Sequence, residues 1–337
     1  MDRTGKNAER ECMRQKYMFV AALLVFLAAA SIGLTEVYTR CLGSPDSGSP
    51  DSGSPGAGHT GSENTIDHPQ AEQSFQIVTS FYPIYIAAKN IVGDCEGVIL
   101  QNLSEPQTGC MHDYQLTTKD MRSLSQADVF VVNGGGMESF LPDVAGQYPD
   151  LVIVNASAET ELLDDNAHAW MSVAAHMTQV AAIADSLAAL DTVHAQSYQN
   201  NAAAYLKKLE ALKHRQQETA ESYQTRSVLI FHEAFAYIAH DYGLTVSGGM
   251  DLDEERQVSA GEVADLLRQI REEGAEVILA EELYGRRMCE TVQQEADVQV
   301  IYLDTCVRGD GRADSYLRAM EGNLEQMEKL YLSGAGA

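Results

Sequence analysis

The chain has 337 residues, with 23 Lys+Arg against 49 Asp+Glu and a formal net charge of -26. A hydrophobic content of 45% with 21% charged residues excludes wholesale disorder, and the length allows one large or two ordinary domains. The acidic balance excludes the basic face that nucleic acid needs, and it suits a soluble monomer that attracts cations.

Residues 1–42 differ from the rest. Arg3, Lys6, Arg10, Arg14 and Lys16 precede an uncharged run, YMFVAALLVFLAAASIGL, from Tyr17 to Leu34. A basic flank before an apolar run of this length is the export pattern, a signal peptide or an N-terminal membrane anchor, and it places the remainder outside the cytoplasm. Ala28-Ala29-Ala30 offers a cleavage site, whereas Thr39-Arg40 before Cys41 is a poor lipidation signal. Residues 43–74 begin GSPDSGSPDSGSPGAG and stay polar without periodicity, so they read as a flexible tether holding the folded part at the outer face of the membrane. His59 and His68 lie in it as solvated bystanders.

From Phe75 short apolar runs alternate with amphipathic stretches. Strands are predicted at FQIVTS (75–80), GVILQN (97–102), DVFVVN (128–133) and LVIVNA (151–156). A second set is SVLIFH (227–232), LTVSGG (244–249), EVILAE (276–281) and VQVIYL (298–303). Helices are predicted over 117–126, 258–273, 284–296 and 313–332, and strong helix formers fill the strand-free segment 171–224. This alternation predicts an α/β fold of two lobes, each a mostly parallel sheet flanked by helices, joined by one long rigid helix. The expected bounds are 75–190 for the first lobe, 191–225 for the linking helix and 226–337 for the second lobe.

Ligands of open parallel sheets gather at the carboxyl ends of the strands. His112 follows the second predicted strand, His168 follows the fourth, His232 ends the fifth and Asp304 follows the eighth. Two donors come from each lobe, and imidazole with carboxylate suits Zn²⁺ first, with Mn and Fe behind it. His176, His194, His214 and His240 fall in or beside predicted helices and read as surface or packing residues. The glycine-rich NGGGME (133–138) lacks the lysine of a phosphate loop and reads as a tight turn. Trp170 is assigned either to pack over the metal or to the plain core.

SFYPIYIAAKNIVGD, TGCMHDYQLTTKDMRSLSQADVFVVNGGGME, NAHAWMS, FHEAFAYIAHDYGL and VILAEELYGRRMCETVQQEADVQVIYLD together resemble the metal-binding proteins of ABC transporters, the zinc-type cluster A-I (cluster 9) family. The resemblance runs from about residue 75 to 332. It implies two α/β lobes bridged by a long helix and a metal held by His112 of HDY, His168 of HAW, His232 of HEAF and Asp304 after the last strand. Manganese-type relatives carry a carboxylate at the third position, so His232 implies Zn²⁺, with Mn²⁺ as the alternative. The implied function is extracytoplasmic capture of a divalent ion and its delivery to a membrane permease. The rival readings are a manganese- or iron-type binding protein and a surface adhesion or signalling protein with this fold.

Two features depart from the family pattern. Its His-rich loop before the second ligand is replaced by 157–166, which offers only Glu159, Glu161, Asp164 and Asp165. Cys110-Met111 precedes the first ligand and brings a thiol to the site as an open extra ligand. The resemblance favours a Cys289–Cys306 disulfide in the second lobe, with Cys110–Cys306 across the cleft as the open alternative. No enzyme is expected: HExxH and GxSxG are absent, and four protein ligands leave a tetrahedral zinc no position for water.

Overall fold

The computed structural model describes residues 74–105, 108–221, 226–252 and 257–334. The expected export segment and most of the expected tether lie outside the described residues. Eight strands form where apolar β-formers cluster: β1 (Phe75–Thr79), β2 (Val98–Asn102), β3 (Val129–Val132), β4 (Val152–Asn155), β5 (Ser227–Ile230), β6 (Thr245–Gly249), β7 (Val277–Ala280) and β8 (Gln299–Tyr302). They pair, all in parallel, into two four-stranded sheets of order β2-β1-β3-β4 and β6-β5-β7-β8. The central strands β3 (VFVV) and β7 (VILA) are buried at every position, as sheets covered on both faces demand. Edge strand β2 alternates between half-buried and exposed residues.

Nine α-helices accompany the sheets among the described residues: α1 (Tyr82–Val92), α2 (Thr118–Leu124), α3 (Leu141–Gln147), α4 (Val173–Leu190), α5 (Ala195–Glu221), α6 (Phe235–Asp241), α7 (Ala260–Glu273), α8 (Glu282–Glu295) and α9 (Ser315–Gly334). α2 and α7 start at capping boxes, Thr117 with Asp120 and Ser259 with Glu262. α4 is long and apolar enough to cross a membrane by composition, but it buries Val180, Ile183, Ala184 and Leu187 and packs along α5. The strand-free segment holds two helices, α4 and α5, and α5 begins close to the expected start of the linking helix. Asp191 ends the first by accepting from the Tyr198 hydroxyl (2.7 Å) and from His194 Nδ1 (2.7 Å).

α5 carries its buried residues Tyr198, Ala202, Tyr205, Leu209, Leu212 and Gln216 at alternating steps of four and three, a single helical stripe. That stripe meets α1, α4 and α9, so the main core takes in Ile77, Phe81 and Trp170 from one lobe and Met320, Leu324 and Met327 from the last helix. A second, smaller core under the β6-β5-β7-β8 sheet contains Phe231, Leu266, Ile278 and Val292. Tyr82 joins the sequence extremes: its hydroxyl pairs with Ser315 Oγ (2.7 Å) and accepts from the Gly311 N–H (2.8 Å).

The disulfide expectation is corrected here. Cys289 and Cys306 both carry free thiols, because Cys289 is buried in the smaller core and Cys306 in the main one. Neither pairing expected of Cys306 is formed in this structure.

Candidate metal centre

The β2–α2 loop delivers the first donors. Met111 is fully buried and anchors the loop, and Cys110 and His112 flank it. The Ser139 hydroxyl donates to the His112 carbonyl (2.8 Å) and fixes the backbone there. Gly109, at φ +93, lies against the Arg308 guanidinium; a Cβ at this position would come within 2.7 Å of Arg308 Nη2. The positive φ favours glycine, a side chain here would also push the guanidinium aside, and the loop start is seated on the second lobe.

His168 follows β4 and is fully buried. Its Nδ1 lies 2.9 Å from Asn166 Oδ1, which also accepts the His168 backbone N–H (2.9 Å). An amide oxygen only accepts, so the ring proton sits on Nδ1 and the Nε2 lone pair faces the site. Burial, reinforced by the neighbouring His232 and His112, pushes His168 well below the ordinary imidazole range, so the ring stays neutral. The loop carrying it is pinned to α6, where the Tyr237 hydroxyl donates to the Asn166 carbonyl (2.7 Å) and accepts the Leu163 N–H (3.1 Å). Asn166 Nδ2 completes the tie by donating to the Glu233 carbonyl (2.9 Å).

His232 sits just past β5, almost fully buried, and its Nδ1 accepts the Ala234 N–H (3.0 Å). That bond puts the proton of the neutral ring on Nε2, so ligation through Nε2 requires the proton to move to Nδ1 and the Ala234 bond to be given up.

His168 is the hub on which the other two histidines close, its ring 5.0 Å from that of His112 and 5.0 Å from that of His232. His112 Nε2 and His168 Nε2 are 3.3 Å apart, and Cys110 Sγ lies 3.6 Å from His168 Nε2 and 3.7 Å from His232 Nε2. Glu233 Oε1 approaches from the solvent side, 3.6 Å from His112 Nε2 and 3.3 Å from His168 Nδ1. Two groups of donors lie mutually within 4.8 Å, Cys110–His168–His232 and His112–His168–Glu233.

Asp304 belongs to neither group. Its Oδ1 accepts the Cys306 N–H (2.7 Å), a turn that holds Cys306 at φ +59, and its backbone N–H donates to Asn323 Oδ1 (2.7 Å). It lines a different cavity of about 890 Å³, together with Glu281, Tyr284 and Arg308. Desolvation pushes its carboxyl up, opposed by the Cys306 N–H and Arg308. Glu281 is held by Arg308 Nη1 at 2.6 Å.

Trp170 is a core residue that also touches a site histidine. It is fully buried, 5.0 Å from the His168 ring and 5.0 Å edge-on to Phe81. Glu233 and the Asn166–Tyr237 pair are the supporting residues that sequence reading left without a fixed role. Their adjacency to His232 and His168 in the chain was the available signal.

A cleft of about 450 Å³ opens from His112 to solvent, lined also by Gly135, Asp164, Asp165, Asn166 and Glu233. Its wall includes the turn NGGGME, where Gly134, Gly135 and Gly136 all have positive φ and Glu138 accepts the N–H groups of Asn133 (2.7 Å) and Gly134 (3.0 Å).

Residues 77–330 match the family described as ZnuA, zinc-uptake complex component A, periplasmic. The chain belongs to this family. Its members are metal-binding transport components rather than enzymes. The chain is similar to the zinc-binding lipoprotein AdcA of Streptococcus pneumoniae, 27% identical over 287 residues, covering 77% of this chain and 56% of the relative. It thus spans about half the length of that relative. It is also similar to the manganese-binding lipoprotein MntA of Halalkalibacterium halodurans, 28% identical over 268 residues, covering 75% and 87% of the two chains. Among solved structures it resembles FpvC of Pseudomonas aeruginosa in complex with Ni²⁺, with TM-score 0.70 and 27% identity, covering 78% of this chain and 98% of that one. The similar proteins thus include ones named for or solved with zinc, manganese and nickel.

Proposed function

We propose that this chain captures a divalent metal ion, Zn²⁺ by preference, outside the cytoplasmic membrane and delivers it to the permease of an ABC transporter. The observation that carries this reading is the convergence of His112 and His168 with His232 from the second lobe, with ring nitrogens 3.3 Å apart at the first pair. Imidazole-rich sets suit zinc ahead of manganese. The cleft mouth carries Asp164, Asp165 and Glu233, acids that raise the local concentration of cations. The membrane-proximal export segment and the tether fit a protein held at the outer surface, where it acts as a monomer.

His168 keeps its Nε2 lone pair ready because Asn166 holds its other nitrogen. His232 ligates through Nε2 once its ring proton has moved to Nδ1 in exchange for the Ala234 bond, and because all three rings must be neutral, protons compete with the metal and capture weakens in acid. The two lobes share one core through α5, so release follows local change in the loops around His112 and His168 rather than wide hinge opening.

The test is elemental analysis of the purified full-length protein, with calorimetric titration of the stripped form. One zinc per chain, lost in the His112→Ala/His168→Ala double variant, is the expected result. Tight Mn²⁺ with weak Zn²⁺ overturns the preference, and no tight metal overturns capture itself.

A further inference from the structure

We propose that Cys110, not Asp304, supplies the fourth ligand, so that the cargo is held by three imidazoles and one thiolate. The inference rests on the capture reading and names the donor that fixes its selectivity. Zinc–nitrogen bonds of about 2.0–2.1 Å and a zinc–sulfur bond of about 2.3 Å give tetrahedral edges of roughly 3.3–3.4 Å between nitrogens and roughly 3.5–3.6 Å between sulfur and nitrogen. The observed separations are 3.3 Å for His112 Nε2 to His168 Nε2, 3.6 Å for Cys110 Sγ to His168 Nε2, and 3.7 Å for Cys110 Sγ to His232 Nε2. Three of the six edges thus have the lengths of a tetrahedral zinc shell before any ion is bound, and His112, which shares no donor group within 4.8 Å with Cys110 or His232, closes on them as the ion enters.

The fold builds this placement. Met111 is locked in the core, Gly109 lies under Arg308, and the two residues flanking Met111 reach the same ring nitrogen, Nε2 of His168. Asp304 is already engaged: its Oδ1 holds the Cys306 turn, and its cavity is the one shared with Arg308 and Glu281. Thiolate and carboxylate carry the same charge, so the exchange leaves the electrostatics of the loaded site unchanged while making it softer. On binding, the Cys110 S–H bond breaks, a sulfur–metal bond forms and the proton passes to solvent. A soft donor favours zinc over manganese, which prefers oxygen ligands.

Cobalt(II) titration of the full-length protein tests this, because a bound thiolate gives a sulfur-to-cobalt charge-transfer band in the near ultraviolet. The band is expected in the wild type and in Asp304→Asn, and is expected to vanish in Cys110→Ser. Zinc affinity should fall in Cys110→Ser by more than the roughly 10–100-fold typical of supporting-residue changes, and by less than about tenfold in Asp304→Asn. The Zn²⁺/Mn²⁺ affinity ratio should shrink in Cys110→Ser. Thermal unfolding of the stripped variants checks that both fold. Bound cobalt without the band, a band that survives Cys110→Ser, or an equal loss in Asp304→Asn overturns the thiolate while leaving capture intact. Failure of the wild type to bind any of the ions overturns both.

Discussion

Trp170 Nε1 donates a 2.9 Å hydrogen bond to the carbonyl of Thr305, and the Trp170 carbonyl in turn accepts the Tyr316 hydroxyl at 2.7 Å. The residue beside His168 is therefore bound to the segment directly after β8 and to the first turn of α9. Trp170→Phe keeps the ring contact with Phe81 but strands a buried carbonyl. A loss of about 1–3 kcal/mol in urea-unfolding stability is expected, with a smaller loss of zinc affinity.

Asn166 orients His168 without being able to touch the metal through a lone thiol or imidazole of its own. Asn166→Ala removes the acceptor for Nδ1–H, and zinc affinity should fall by roughly 10–100-fold while the thermal midpoint moves little. Titration calorimetry beside a melting curve separates the two.

Buried imidazoles set the acid stability of the metal-free protein. His176, on α4, stacks on Tyr316 at 4.0 Å and is held by burial down at about 4, from an ordinary 6.5. His168 is depressed in the same direction. A group whose folded-state pKa is lowered takes up its proton first in the unfolded chain, so the folded form loses stability as pH drops below about 6.5, toward 4. Each such group contributes a slope of up to about 1.4 kcal/mol per pH unit. Denaturant midpoints of the stripped protein should fall across that window, and His176→Phe should flatten the slope.

Glu281 and Arg308 form a largely buried ion pair beside Tyr284, and the same guanidinium covers Gly109. Burial pushes the Glu281 carboxyl up despite Arg308. Arg308→Met leaves that carboxyl without its partner and should cost about 3–5 kcal/mol, whereas Glu281→Gln with Arg308→Met should recover most of it. Urea unfolding of the single and double variants gives the comparison. The single variant should also loosen the loop carrying Cys110 and weaken zinc binding.

His232→Glu exchanges a borderline donor for a hard one next to the thiol. The Zn²⁺/Mn²⁺ affinity ratio should drop by at least about tenfold in competition titrations; an unchanged ratio would show that His232 does not ligate.

The eight strands were legible because runs such as VFVV and VILA carry β-branched residues without Gly or Pro, and each gave a strand within a residue or two of its expected ends. Helices α1 and α3 were not among the expected stretches, and the helix around His240 was expected without bounds. α1 is buried along almost its whole length, so it shows little polar–apolar alternation, and α3 and α6 are only seven residues long. The boundary at Asp191 lies where the linking helix was expected to begin, and the bonds to His194 and Tyr198 are its side-chain cause.

The sequence by itself determined the parallel α/β architecture, its two groups of four strands, and the family. Periodicity and local composition carry those, since they reflect burial integrated over whole elements. It also placed three histidines at the carboxyl edges of strands, where His112, His168 and His232 converge. Tertiary structure alone decided which carboxylates and thiols share that space. Cys110 and Asp304 each stand two residues from another chemically suited residue, and spacing cannot rank them. The direction of a loop side chain depends on a Met111 anchored in the core and an Arg308 reaching from the far lobe, contacts about 200 residues apart in the chain.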